Sequence, residues 1–168
     1  MIIIDDNFLS DIQKKFLDQI FRSKLFNFQF VNHGVNSEEL NHFIHIVRDE
    51  RGNLNSPLQD GLYDILLTFC KKNNIPCTKI FRCAVQVTFN YGDNNKAITH
   101  IDHPWDHNQF ILYLNDTTGD TVIMDKSNKN PEKIVEPKKY RGLVFDKRYH
   151  YYYFPSTNTR RVVAYTFK

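Results

Sequence analysis

The chain has 168 residues, of which 41% are hydrophobic and 24% are charged, a balance typical of one globular domain rather than a disordered chain. Three cysteines without a Cys-x-x-Cys spacing argue against a disulfide scaffold, and no apolar run approaches the ~20 residues of a membrane helix. The N-terminus lacks the basic region and cleavage site of a signal peptide, which predicts a cytoplasmic protein with reduced thiols.

The net charge of +3 is unevenly distributed along the chain. Residues 121–168 carry 11 Lys and Arg against 4 Asp and Glu, whereas residues 1–120 carry 11 against 15. A basic C-terminal third can attract an anionic partner, so a nucleic-acid-binding module is one interpretation. A solvated charged surface explains the same counts more simply, and we therefore disfavour nucleic acid as a partner.

Helices are predicted in the first part of the chain. Ser10, with Gln13 three residues later, forms a capping box that begins a helix over residues 11–22. Ser56-Pro57 begins a second helix over residues 57–72, with proline at the first helical position. The apolar faces of both helices are expected to pack on one sheet.

Strands are predicted at the N-terminus and throughout the second half. Short β-branched and aromatic runs separated by turn residues are typical of a sandwich or jelly roll. The runs cover residues 2–4, 80–89, 110–114, 121–124, 143–145 and 161–167. We expect a single domain over residues 1–168, mainly β with flanking helices, in which residues 1–78 form a helical support region and residues 79–168 form the jelly-roll core.

The most informative stretch contains His100 and Asp102. Residues two apart on a strand point to the same side, so the imidazole and the carboxylate can share one metal ion. His150, which follows a later predicted strand, is the candidate for a third ligand. Two histidines and one carboxylate occupy one face of an iron(II) ion and leave three positions open for other ligands.

Other interpretations of these residues exist. His100 and Asp102 can be a surface pair beside His103, and His150 can be a packed core histidine next to three tyrosines. His103 and His107 have the spacing of a helical zinc pair, but a proline between them and a nearby strand argue against a helix there.

Several segments accompany the candidate ligands in a fixed order. They are Phe89-Asn90-Tyr91-Gly92 before His100-Ile101-Asp102, then Phe110-Ile111-Leu112-Tyr113-Leu114-Asn115-Asp116, Thr118-Gly119-Asp120-Thr121, and Leu143-Val144-Phe145-Asp146 before His150. From about Phe81 to the C-terminus, this order resembles the 2-oxoglutarate- and iron(II)-dependent oxygenases, in the prolyl-4-hydroxylase-like branch. The C-terminal half is most similar to small phage-encoded members, which implies a host-cytoplasm location. Phe89 stands where the family has tyrosine, and Thr118 stands where it has the first glycine of Gly-Gly-x-Thr.

The resemblance implies a double-stranded β-helix, or jelly roll, and a set of cofactors. These are Fe(II), 2-oxoglutarate as cosubstrate, and O₂; ascorbate is a further cofactor that the resemblance allows. Arg160 lies ten residues after His150, where the family places the basic residue that binds the distal carboxylate of 2-oxoglutarate. Tyr113 and Tyr91 are candidates for an added hydroxyl donor to the cosubstrate.

The adjacent Arg161 is the alternative to Arg160, because neighbouring residues of a strand face opposite sides. If Arg160 faces the pocket, then Val162, Ala164 and Thr166 line it, and these small residues leave room for a ligand. An arginine suits the role because its planar fork donates two parallel hydrogen bonds to a carboxylate.

The function that follows from the resemblance is that of a 2-oxoglutarate-dependent dioxygenase hydroxylating a C–H bond. The primary substrate is unidentified; a protein or peptide is favoured, with peptidyl or free proline as examples. The alternative is a non-catalytic cupin-like binding domain with a vestigial metal site. Completeness of the ligand set favours the enzyme, because a vestigial site is expected to lose at least one ligand.

Overall fold

The computed structural model describes residues 1–20, 27–31, 42–90 and 96–168. In these residues the chain forms two helices and ten strands. In chain order they are β1 (Ile2–Asp5), α1 (Asp11–Ile20), β2 (Gln29–Val31), β3 (His42–Arg48), α2 (Gln59–Lys72), β4 (Ile80–Thr88), β5 (Asn108–Tyr113), β6 (Thr121–Met124), β7 (Pro131–Val135), β8 (Gly142–Asp146), β9 (His150–Tyr152) and β10 (Arg160–Phe167). None of the helices in this part of the chain is long and apolar enough to cross a membrane.

The strands form two antiparallel sheets. The large sheet has the order β1-β8-β5-β10-β4-β3-β2, and the small sheet has the order β7-β6-β9. An apolar cluster joins the two sheets, with Ile111 and Val162 from the large sheet packing with Ile123 and Val135 from the small one. Two antiparallel sheets packed face to face, with helices outside, confirm the predicted double-stranded β-helix.

Both helices pack on the outer face of the large sheet, as predicted. Phe69 of α2 lies 5.0 Å from Phe110 of β5 between ring centroids, within a continuous apolar core. The predicted capping box is present, because Gln13 N donates to Ser10 Oγ at 3.3 Å and Ser10 N donates to Gln13 Oε1 at 3.0 Å. Helix α1 is described as far as Ile20, so the predicted residues 21–22 lie outside the described part.

The predicted start of the second helix is wrong by two residues. Helix α2 begins at Gln59, whereas the sequence placed the first helical residue at Pro57. The Ser56 hydroxyl accepts from Leu58 N at 3.2 Å and contacts His45 Nε2 at 2.7 Å. Ser56 therefore forms a turn that holds the preceding strand instead of capping the helix directly.

Residues 1–78 also contribute strands that the sequence did not indicate. Strand β3 pairs with β4 inside the large sheet, and β2 pairs with β3 at the edge. His45 interrupts the apolar pattern of β3, yet it is buried and both ring nitrogens have partners, Asn27 O at 2.8 Å and Ser56 Oγ. A satisfied buried histidine therefore concealed a strand that the apolar periodicity alone would have indicated.

Part of the positive charge of the C-terminal third is neutralised inside the chain. Asp6 pairs with Arg141 Nε at 2.7 Å and with Lys138 Nζ at 2.9 Å, and Lys139 pairs with Asp18 at 2.8 Å. These pairs connect the basic segment to the acidic N-terminal region. The charge asymmetry seen in the sequence therefore serves intramolecular contacts in this part of the fold.

Candidate active site

Side chains from two segments that are distant in sequence, His100 and Asp102 from one and His150 from the other, converge between the two sheets. His100 and His150 form an isolated β-bridge, with each backbone N donating to the other backbone O at 3.0 Å. Asp102 Oδ2 lies 3.6 Å from His150 Nε2, and candidate ligand atoms of all three residues lie within 4.8 Å of one another. The structure thus brings together the predicted set, although His100 and Asp102 lie on an extended connection rather than on a regular strand.

Hydrogen bonds at the far side of each ring orient the two histidines. His100 Nδ1 donates to Ile98 O at 2.8 Å, and His150 Nδ1 donates to Arg148 O at 3.2 Å. With the proton on Nδ1, each Nε2 keeps a free lone pair, the arrangement found in metal-binding histidines. Burial lowers the pKa of His150 to about 4, so this imidazole is neutral at pH 7.

Asp102 carries an oxygen that the chain itself does not satisfy. Its side chain is 12% exposed, and Oδ2 is buried without a hydrogen-bond partner among the described residues. A buried carboxylate oxygen next to two imidazole lone pairs fits a divalent cation, and the two-histidine, one-carboxylate set is typical of non-haem Fe(II). The geometry therefore disfavours a simple surface pair.

A cavity of about 330 Å³ lies between the sheets next to these three residues. Alternate residues of three neighbouring strands of the large sheet form its floor, as the period of two requires. Its floor includes Arg82, Ala84 and Gln86 of β4, Gln109 and Ile111 of β5, and Arg160, Val162, Ala164 and Thr166 of β10. Val162, Ala164 and Thr166 line the cavity together with Arg160, as the sequence predicts for a strand on which Arg160 points inward.

Arg160 occupies one end of this cavity and is only 2% exposed. Its Nε donates to Gly119 O at 3.0 Å, and NH2 donates to Thr121 Oγ1 at 2.9 Å. No carboxylate of the described residues lies within 4.0 Å of its guanidinium, although a buried cation normally has an anionic partner. By contrast, Arg161 is half-buried and its Nε donates to Thr159 Oγ1 at 2.8 Å.

Tyr113 lies behind Arg160 rather than on the cavity wall. Its hydroxyl donates to Thr121 Oγ1 at 2.6 Å, and its ring centroid lies 5.4 Å from the Arg160 guanidinium carbon. Burial raises the pKa of Tyr113, so the hydroxyl stays protonated and acts as a donor. Tyr91, the other tyrosine candidate, lies outside the described residues.

Two further residues support this end of the cavity. Thr121 lines the cavity and accepts from both Tyr113 and Arg160, which directs its own hydroxyl proton away from both donors. Gly119 has a φ of +101°, and a Cβ there would lie 2.6 Å from Tyr153 O. Gly119 stands at the second glycine of the family's Gly-Gly-x-Thr motif, and the backbone conformation at this position requires a glycine. The sequence did not indicate that Gly119 and Thr121 contact Arg160, because these contacts form only when β6 packs against β10.

His103 and His107, the alternative zinc pair, lie 5.1 Å apart between ring centroids, but each ring has a partner within the chain. His103 Nε2 contacts Thr166 Oγ1 at 2.8 Å and its ring stacks on Trp105 at 4.7 Å, while His107 Nδ1 donates to Trp105 O at 2.9 Å. The segment between the two histidines is irregular rather than helical. The described ranges contain one group of three potential metal ligands, His100, Asp102 and His150.

The fold is similar to that of several proteins of known structure. A scan of protein-family models and a search of curated proteins give no match. An oxidoreductase of the 2OG-Fe(II) oxygenase family from Burkholderia pseudomallei has a similar structure, with a TM-score of 0.78 and 14% identity over 99% of this chain and 84% of that chain.

Prolyl hydroxylases are also among the similar structures. The enzyme from Trichoplax adhaerens, solved with a peptide fragment of hypoxia inducible factor, has a TM-score of 0.65 and 20% identity, covering 99% of this chain and 83% of its own. A prolyl-4-hydroxylase from Pseudomonas putida has a TM-score of 0.65 and 14% identity, covering 99% and 92%. The chain therefore has the double-stranded β-helix fold of 2-oxoglutarate- and Fe(II)-dependent oxygenases, which confirms at the level of fold the resemblance seen in its sequence.

Proposed function

We propose that the protein is an Fe(II)- and 2-oxoglutarate-dependent dioxygenase that hydroxylates a C–H bond. One observation carries the proposal: a ligand set suited to Fe(II) and a buried arginine without a carboxylate partner in the described chain share one cavity. Either feature alone has simpler explanations. Together they match a metal-bound cosubstrate that also has a distant carboxylate.

His100, Asp102 and His150 would hold the metal. When bound, Fe(II) supplies a site where O₂ is activated as 2-oxoglutarate is decarboxylated to succinate and CO₂, with one oxygen atom going to the substrate. The chain orients the ligands through the Nδ1 hydrogen bonds of the histidines. The Phe145 ring packs against the His150 ring, with 5.0 Å between centroids, and both side chains are buried.

Arg160 would bind the distal carboxylate of 2-oxoglutarate. Its hydrogen bonds to Gly119 O and Thr121 Oγ1 fix the guanidinium before a ligand enters, which lowers the entropic cost of binding. Thr121 would donate its free hydroxyl proton to the same carboxylate. Tyr113 has a positioning role in this proposal, because its hydroxyl holds Thr121. Ascorbate as a further cofactor remains a prediction of the family resemblance.

The primary substrate is a finer part of the proposal. Peptidyl or free proline is supported by the two similar structures that are prolyl hydroxylases, one of them solved with a peptide. We also propose one domain over residues 1–168, since the similar structures cover 99% of the chain. A cytoplasmic location is supported by three cysteines that are all unpaired, and the likeness to phage proteins stays a prediction.

The direct test is formation of succinate from 2-oxoglutarate by the full chain with Fe(II), O₂ and ascorbate, followed by NMR. We expect slow turnover without a primary substrate, and none in Asp102→Ala. Wild-type protein that binds Fe(II) but neither binds nor consumes 2-oxoglutarate would contradict the proposal. That result would favour the non-catalytic, cupin-like binding domain.

A further inference from the structure

A row of polar side chains crosses the cavity floor far from Arg160. Thr166 of β10 pairs in register with Arg82 of β4 on one side and with Gln109 of β5 on the other. All three residues line the cavity. Register partners on neighbouring strands project their side chains to the same face, so Arg82, Thr166 and Gln109 form one continuous row, here called the distal row.

The distal row is separate from the proposed cosubstrate end. Thr166 lies six residues after Arg160 on the same strand, which corresponds to about 20 Å at the usual rise per residue. The next row towards Arg160 consists of Ala84, Ala164 and Ile111, which are apolar or small. The distal row and Arg160 are therefore two polar ends of the cavity, separated along β10 by Val162 and Ala164.

The distal row lies beside the candidate metal ligands. His103, which directly follows Asp102, contacts Thr166 Oγ1 through Nε2 at 2.8 Å and is buried. This contact fixes the segment that carries Asp102 over the end of β10. A molecule bound on the distal row would therefore have the metal site within reach.

Two members of the distal row have polar groups that the described chain does not satisfy. Gln109 is 5% exposed, and its Oε1 is buried without a hydrogen-bond donor. Arg82 is half-buried, and no carboxylate of the described residues lies within 4.0 Å of it. Asp49 and Glu50 border a second, more open cavity on the other side of Arg82, but neither pairs with it. The row therefore offers a cation and an acceptor to a ligand.

We propose that the distal row binds the α-carboxylate and the adjacent N–H of an amino-acid unit, which is the primary substrate; this rests on the function proposed above. Arg82 takes the carboxylate, and Gln109 Oε1 accepts from the nitrogen. Free amino acids and the C-terminal residue of a peptide share this chemistry. The cavity of about 330 Å³ also has to hold 2-oxoglutarate, which favours a small substrate.

The test uses the full chain with Mn(II) in place of iron, without O₂, in the presence and absence of 2-oxoglutarate. Calorimetry measures binding of three sets of probes: free L-amino acids, their C-terminal amides, and N-acetyl dipeptides with a free or an amidated C-terminus. We expect at least one free carboxylate to bind, and its amide to bind about tenfold to hundredfold more weakly. Tighter binding of the free amino acid would identify a free amino acid as the substrate. Tighter binding of the N-acetyl dipeptide would identify the C-terminal residue of a peptide.

Arg82→Gln is the decisive variant, with exposed Arg51→Gln as the matched control. The difference between carboxylate and amide should disappear in Arg82→Gln and persist in Arg51→Gln. A general loss of folding would weaken both probes and would not abolish their difference.

Three results would overturn the inference. They are that no probe binds, that the carboxylate preference survives in Arg82→Gln, or that Arg82→Gln weakens 2-oxoglutarate itself. Binding of the amino acid by a protein that does not bind 2-oxoglutarate would instead support the distal row and contradict the proposed dioxygenase function.

Discussion

The two faces of strand β10 differ in what their residues contact. Outward, Val163, Tyr165 and Phe167 are at most 1% exposed and pack in the core beneath the helices. Inward, the alternate residues from Arg160 to Thr166 line the cavity. Because side chains alternate along a strand, the eight residues of β10 have one face that packs in the core and one face that lines the ligand cavity. Substitutions on the two faces should therefore separate unfolding from binding.

The largest effect is expected at the metal site. Asp102→Ala removes the anionic ligand and should weaken Mn(II) binding by more than about 100-fold, with loss of turnover. Without metal, the free energy of unfolding should not fall, because a buried oxygen without a donor is removed. Metal content per chain and urea unfolding of the metal-free protein measure both effects.

Asp106→Ala is the control for this variant, because Asp106 is exposed and lies four residues away. Metal content should match that of the wild type. Equal metal content in Asp102→Ala would contradict the assignment of the ligands.

On the outer face, Phe69→Ala should cost about 3–5 kcal/mol of unfolding free energy. Phe69 is fully buried and its ring lies 4.9 Å from Phe8 and 5.0 Å from Phe110 between centroids. The affinity of the remaining folded protein for 2-oxoglutarate should not change. Urea unfolding and calorimetry test the two statements, and Leu67→Ala, at a 37% exposed position of the same helix, should cost far less.

Arg160 and Arg161 are adjacent on β10 and point to opposite faces of the sheet, so their variants compare the two faces. Arg160→Ala should weaken 2-oxoglutarate by about one to two orders of magnitude, because a hydrogen bond to a charged group is worth about 1.5–3 kcal/mol. Arg161→Ala should leave the affinity unchanged, and both variants should bind Mn(II) normally. Calorimetry with Mn(II) and without O₂ gives these values. Weaker cosubstrate binding in Arg161→Ala alone would place the pocket on the other face.

Arg141 provides the contrast of an arginine that has its carboxylate within the chain. Hydrogen bonds from Arg141, with further support from Lys138, lower the pKa of Asp6 to about 2. Because the folded pKa lies below the ordinary value of about 4, this stabilisation is present above pH 4 and is lost as the pH falls towards 2.

Asp6→Asn should therefore lower the unfolding free energy at pH 7 by about 1–2 kcal/mol. The difference from the wild type should vanish near pH 2. Urea unfolding between pH 2 and pH 7 measures it. A difference that does not depend on pH would show that the ion pair does not contribute in this way.

Local patterns in the sequence were sufficient for much of the site. The spacing of His100 and Asp102, and the alternation that turns Arg160 inward, are properties of a few adjacent residues. His150, which follows a later predicted strand, completed the ligand set. The resemblance then supplied the cosubstrate and the role of Arg160 in binding it. Similarly, Ser10 and Gln13 indicated the start of α1, because a capping box is complete within four residues.

What the sequence could not show depends on contacts between distant segments. Strand β3 contains His45, whose burial depends on partners at positions 27 and 56. Strand β7 is mostly exposed and lies at the edge of the small sheet, so it lacks an apolar pattern. The distal row could not be predicted, because it depends on how β4, β10 and β5 align with one another. The alternation of side chains along each strand does not determine that alignment.

The most direct test of the site as a whole is the dependence of 2-oxoglutarate binding on metal in the wild-type protein. The metal ligands and Arg160 are proposed to hold opposite ends of one molecule, so each end should need the other. Calorimetry should show binding of 2-oxoglutarate with Mn(II) and at least about tenfold weaker binding without it. Equal affinity with and without Mn(II) would contradict a shared site for the metal and the cosubstrate.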